Sequence, residues 1–510
     1  MNQRRCLHPS RTVGFGLMLS LMMVGGTAIA PSHGQSGNQS DVTAPNPVNV
    51  MPAIDTEDPQ VQEFTNTNTL SEQVDRVAYE TKIQQISTTE AVQLLEEYQA
   101  FEFCNLLDLD RCGEVPSLET ILNTLYTTWQ ETNNKTALIY VVQLPTALQL
   151  VAITPPTTPI TNTSTLQQKI SSVQSITIPV ETRAQVVELT RTLRRNITNR
   201  RLSSDQYTRP ATALYDLLIA PLKPILDDQD IEHLLFSLDQ DLRLLPLAAL
   251  YDGEEFLIEQ YGVGIIPSFG LVDTGYQDIR SQSLLAMGAS KFTQNSDLPA
   301  VDLELDFITR LGWQHQLFKD EQFTVANFMA ANQANQFGLI HLATHAEFNP
   351  ANPQPAYLQF ADRTVSFTEL RELVRSLGWI DSAYPTVELL ILSACETAVG
   401  DRASELGFAG LAVQLGVKSA LASLWRVSDL GTLALMSEYY LQLRQTPIKS
   451  QALRQAQINL LRGQVRLTAD TLILSNGQRL PLPPRLQLEA RQDLQHPMIW
   501  SGFQLVGYWN

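Results

Sequence analysis

Cysteine is scarce in this chain, with four among 510 residues: Cys6, Cys104, Cys112 and Cys395. They form no CxxC pair, and HExxH is missing as well, so zinc hydrolysis has no ligand set to support it. No GxxxxGK[ST] loop occurs, and Gly262 and Gly264 are isolated glycines, too sparse for a cofactor loop. These gaps leave no cofactor and no metal to expect. Positive charge is also short, at 35 Lys and Arg against 53 Asp and Glu, for a formal net charge of −18. Such a surface repels phosphate backbones and argues against a nucleic-acid partner. No unit of 30–45 residues repeats. One uncharged apolar run, at 13–30, approaches the roughly 18 residues that span a bilayer.

That run follows Arg4, Arg5 and Arg11 and precedes small residues, the layout of a secretory signal peptide over residues 1–34. Ala28-Ile29-Ala30 has the small-x-small pattern but is followed by Pro31, which makes Ser32-His33-Gly34 before Gln35 the favoured cleavage point. The expected location is periplasmic or extracellular. An uncleaved N-terminal anchor is the other reading, and no further membrane segment is expected. Residues 35–77 are rich in Pro, Asn, Ser, Thr, Asp and Gln and read as a disordered linker that cannot offset its own ordering entropy. In an exporting compartment, Cys104 and Cys112 are candidates for a disulfide across a short acidic loop, with two buried thiols as the alternative. Cys6 leaves with the signal. Either way Cys395 is left over, and an odd thiol in an exported protein points to reactivity.

What remains has globular composition, 44% hydrophobic and 17% charged, and is long enough for two or three folded units. Residues 78–230 mix patterns. Helical spacing covers 91–107 and 117–131, a strand pair covers 137–143 and 148–154, and a helical stretch at 203–226 is interrupted at Pro210 and Pro221. This is a smaller α+β region. From 231 to 510 the texture changes to short, almost wholly apolar runs (233–238, 284–288, 338–344, 387–393, 419–425) alternating with helical segments. Strands covered on both faces read this way, so the larger unit is α/β with a mostly parallel sheet flanked by helices.

Active groups of such sheets sit just past the carboxyl ends of the strands. Two of these runs end in reactive residues there: 338–344 leads into His345, and 387–393 leads through Ala394 into Cys395. A thiol with its ordinary pKa near 8.5 is mostly protonated at neutral pH and needs a base beside it. A histidine can take that proton and later deliver it to a leaving amine. The competing reading makes Cys395 a small core hydrophobe. His341 lies four residues before His345, about 13 Å away along a strand, too far to share a metal, and reads as a packing residue. Arg243 reads as a structural ion-pair partner. His496 and Trp500 read as parts of a closing strand.

The segments HLATHAEF (341–348), LLILSACETAVGD (389–401), ELGFAGLAVQLGVKSALASLWRVSD (405–429) and HPMIWSGFQLVG (496–507) resemble the CHAT-domain family, a largely bacterial branch of the caspase–separase clan of cysteine peptidases. DQDLRLLPLAALYDG (239–253), IIPSFGL (265–271) and AMGAS (286–290) fit the same family's earlier strands. The region before the domain resembles what precedes it in cyanobacterial members, without the tetratricopeptide repeats many relatives carry. The resemblance implies a caspase-like fold, His345 as base and Cys395 as nucleophile, at the 50-residue spacing seen in caspases. It implies peptide-bond hydrolysis through a thioester, with the oxyanion held by backbone N–H groups of Cys395 and Ala346 or a neighbour. Caspases proper carry Gly where Ala346 stands. Trp425-Arg426-Val427-Ser428-Asp429 resembles the separase segment whose aspartate helps hold a basic side chain, with Asp401 as a second acidic candidate. The bland reading has Asp429 cap the helix that follows it and Asp401 serve a cap or loop. The expected partners are a protein or peptide substrate and a regulatory protein. The alternative function is a catalytically silent interaction or scaffold protein on the same fold.

Overall fold

A computed structural model describes residues 76–510 except 108, 110–113, 162–163, 165–168, 294, 348–355, 381–385, 394 and 397–401; at 106, 395, 396, 402–404 and 406 it describes the backbone. The expected signal peptide, most of the linker, Cys112 and Asp401 lie outside these residues. In chain order the strands are β1 (Thr136–Gln143), β2 (Ala147–Ile153), β3 (Val173–Pro179), β4 (His233–Leu238), β5 (Gly262–Ile266), β6 (Leu284–Gly288), β7 (His315–Lys319), β8 (Leu339–Ala343), β9 (Ala346–Glu347), β10 (Tyr357–Gln359), β11 (Thr364–Ser366), β12 (Leu389–Leu392), β13 (Cys395–Glu396), β14 (Ser419–Ser423), β15 (Arg466–Leu467), β16 (Thr471–Ile473), β17 (Arg479–Pro481) and β18 (Phe503–Gly507).

Eleven of them form one sheet in the order β3-β2-β1-β4-β5-β18-β14-β12-β8-β6-β7. The β3-β2-β1 edge and the β18–β14 junction are antiparallel and the other pairs are parallel. β4, β5, β6, β8, β12, β14 and β18 are buried along their whole length, which is why their sequences carry no polar alternation. The boundary expected between 230 and 231 falls inside this sheet, because β1 pairs with β4 across it. The described residues from 76 onward fall in one compact unit. Arg76, assigned by composition to the linker, is instead buried, its guanidinium on Asp239 at 2.6 Å and 2.7 Å.

Two local expectations change. Pro210 does not interrupt its helix, which runs Ser204–Leu218. Proline there deprives the Gln206 carbonyl of its helical donor, and Asn196 Nδ2–H donates to that carbonyl at 2.7 Å instead. His496 and Trp500 lie not in the closing strand but at the start and end of a short helix, Pro497–Trp500, ahead of β18. Arg243 is fully buried, paired with Glu102 of the helix Thr88–Leu106 and donating to the Leu238 carbonyl at 3.0 Å. It ties that helix to the end of β4.

Beside β8 the backbone runs close. A Cβ at Gly288 would stand 2.5 Å from the Ala343 carbonyl oxygen and 2.8 Å from the Ala343 Cβ, so only glycine lets β6 and β8 pair here. The small sheet β11-β10-β9-β13 rises from the carboxyl ends of β8 and β12, and β15-β16-β17 form a separate three-stranded sheet. Among the described residues no helix is long and apolar enough to cross a membrane.

Candidate active site

β12 pairs in parallel with β8, with Leu389 opposite Leu339 through Leu392 opposite Leu342. The 50-residue interval between His345 and Cys395 is therefore the register of the sheet itself. Past the strand ends the offset closes by one, because one more residue separates Leu342 from Ala346 than separates Leu392 from Cys395. β13 pairs in parallel with β9, with Cys395 opposite Ala346. The Cys395 backbone thus lies one ladder spacing, about 4.8 Å, from the residue that follows His345.

The half-buried His345 ring is held from two sides. Its Nε2–H donates to the Ser296 carbonyl at 2.8 Å, and the Phe292 ring meets it edge-on at 4.8 Å between centroids. A carbonyl accepts only, so the neutral ring carries its proton on Nε2 and Nδ1 is the basic nitrogen. The His345 carbonyl accepts from Gln359 N–H at 2.9 Å. That bond faces β10, so the next amide, of Ala346, is turned toward β13 and Cys395.

A cleft of about 320 Å³ opens beside His345. Ser296, Ala346, Ser393, Glu304, Arg426 and Asp429 are among its lining residues. The cap of the helix Asp429–Gln445 is Ser428, whose Oγ accepts from Gly431 N–H, so the bland reading of Asp429 as that cap is corrected. Asp429 instead accepts the Ala300 N–H at 2.7 Å, at the start of a different helix, Val301–Thr309, while also lining the cleft. Burial pushes its carboxyl up to about 7, with the nearby charges of Glu304 and Glu489 adding to the shift and the Ala300 amide opposing it. Among the described residues no ion pair is made by Asp429. The cleft therefore holds a carboxylate that costs energy to ionise until a cation arrives.

A family model of the CHAT domain matches residues 208–508. The chain belongs to the CHAT-domain family. The match begins inside the helix Ser204–Leu218, ahead of the expected boundary at 231. No curated protein matches the sequence. Among solved structures the chain is similar to separase in the Saccharomyces cerevisiae separase–securin complex, with 10% identity and a TM-score of 0.41 over 82% of this chain. It spans about a third, 34%, of that protein's length.

Within this CHAT domain the structure brings together His345, Ala346, the Cys395 backbone and Asp429. His341 lies beneath them, fully buried, with Nε2 on Glu304 at 2.8 Å and the Tyr440 hydroxyl on Nδ1 at 3.2 Å; it is a packing residue, as its position on the strand suggests. Cys104 is disulfide-bonded, and its partner lies outside the described residues. Among the described residues no group of three or more His, Cys, Asp or Glu side chains is arranged to hold a metal. Sequence reading missed Ser296 and Glu304. Ser296 acts through its main-chain oxygen, which no side-chain pattern reveals. Glu304 did leave a signal, as a carboxylate on the apolar face formed by Val301, Leu305 and Ile308.

Proposed function

We propose that this CHAT domain is a cysteine endopeptidase that uses His345 and Cys395 and favours a basic residue before the cut. The observation that carries the reading is the pairing of β13 with β9 just past the paired ends of β12 and β8, which sets the Cys395 backbone beside Ala346 while the Ser296 carbonyl meets His345 Nε2. In this reaction His345 Nδ1 takes the Cys395 thiol proton as the sulfur attacks the scissile carbonyl carbon. The oxyanion is met by the Cys395 amide together with a second backbone N–H beside His345. Collapse breaks the C–N bond, the His345 proton goes to the leaving amine, and a thioester remains. Water, deprotonated by the same imidazole, hydrolyses the thioester and returns the thiol. The Asp429 carboxylate receives the basic side chain. Export by the first 34 residues places the activity in the periplasm or outside the cell.

The test is covalent labelling of the mature chain with an acyloxymethyl-ketone probe, alongside Cys395→Ala and His345→Ala. Labelling of wild type alone, with loss of peptide cleavage by at least about 10⁴-fold in both variants, is the expected result. Equal labelling of Cys395→Ala, or none of wild type under reducing conditions, sinks the peptidase reading and favours a scaffold.

A further inference from the structure

The carbonyl that holds His345 belongs to a stretch between β6 and the helix Val301–Thr309, and that stretch is tied at two successive residues. Ser296 Oγ accepts from the Arg426 guanidinium at 3.1 Å. Asp297 pairs with Arg485 at 2.8 Å, and this hydrogen bond holds the Asp297 carboxyl below its ordinary range. Arg485 comes from far along the chain. It sits in the short helix Pro484–Gln487, within an excursion of residues 463–495 that also carries β15, β16 and β17.

The excursion packs onto the rest of the domain. Leu472, Leu474, Leu482 and Leu486 bury its inner side, and the Glu438 carboxylate of the helix Asp429–Gln445 accepts the Ser475 amide at 3.1 Å. Its later part reaches the other wall of the cleft, where Ser428 Oγ–H donates to Gln492 Oε1 at 2.6 Å and the charge of Glu489 is felt by Asp429. The same excursion therefore contacts both the Ser296 side and the Asp429 side of the cleft. The Ser296 carbonyl is a main-chain group with no side chain to place it. Its position depends on what anchors residues 296 and 297.

We propose that Arg485 is a positioning residue for the base. Its ion pair with Asp297 keeps the Ser296 carbonyl on His345 Nε2–H and so sets the tautomer that leaves Nδ1 to receive the thiol proton. This rests on the peptidase reading for its consequence but not for its geometry. The pair is exposed on the Arg485 side, at 66% of the side chain, so its worth is that of a surface pair and salt weakens it.

The experiment uses the full mature chain with ¹⁵N-histidine, the His345 signals being assigned through His345→Gln. Arg485→Gln is expected to move the ring away from its Nε2-protonated form. In the same variant kcat should fall about two- to five-fold at unchanged KM, with the melting temperature held. Arg485→Lys restores both readouts, and 0.5 M salt added to wild type reproduces the Gln variant. Asp297→Asn repeats the test from the other partner should Arg485→Gln fold poorly. A wild-type tautomer ratio in Arg485→Gln, or in Asp297→Asn if that is the variant that folds, overturns the proposal. Should the wild type cleave nothing, the tautomer shift still decides the latch, and the peptidase reading fails separately.

Discussion

Replacing Asp429 by Asn tests the acidic cleft by charge alone, since the Asn oxygen can still accept the Ala300 N–H. The carboxyl is pushed up to about 7 by burial, so in the free enzyme it is about nine-tenths ionised at pH 8 and about one-tenth at pH 6. Because kcat/KM reports the free enzyme, cleavage after Arg, taken as a ratio to cleavage after norleucine, should drop about tenfold between pH 8 and pH 6. The ratio cancels the titration of His345 and Cys395, which both substrates share. Losing a charge-assisted hydrogen bond costs about 1.5–3 kcal/mol, so Asp429→Asn should lower the Arg ratio at pH 8 by about 10- to 150-fold and abolish its pH dependence. Stability follows with the opposite benefit. The folded carboxyl stays neutral up to about 7 while the unfolded one ionises near 3.8, so the folded state loses stability as pH rises through that window. The Asn variant should therefore melt higher than wild type at pH 8 and alike at pH 3.5. An Arg-to-norleucine ratio that is flat from pH 5 to 8, or one that Asp429→Asn leaves unchanged, refutes the basic-pocket reasoning.

Two further substitutions probe the frame that carries the site. Arg243→Met leaves Glu102 buried without its counter-ion and should cost about 3–5 kcal/mol in urea unfolding, most of it recovered when Glu102→Leu is added. Gly288→Ala drives a methyl into the Ala343 backbone and should cost about 1–3 kcal/mol. Because His345 follows Ala343 by two residues, probe labelling per folded molecule should slow as well, and an unchanged rate would show that β8 does not set the position of the ring.

The core strands were legible because burial on both faces forces their composition: 233–238 and 284–288 match β4 and β6 end for end. The same logic placed His345 and Cys395 past the ends of two buried runs, and those runs do pair in parallel as neighbours in the sheet. What stayed hidden depends on pairings between distant segments. β18, last in sequence, sits between β5 and β14, and nothing in residues 503–507 encodes those neighbours. The two-residue strands β9 and β13 are too short to leave a period, yet they bring the Cys395 backbone to Ala346. Asp429 shows the limit of local reasoning most directly. Its place just before a helical run offered a choice between capping that helix and facing a pocket. The structure gives the cap to Ser428 and turns Asp429 to the helix Val301–Thr309, more than a hundred residues earlier, where it lines the cleft as well. A carboxylate that secures one helix start while projecting from another is fixed on two sides before any ligand binds. That preorganisation lets a single charge set specificity without first ordering a loop to present it.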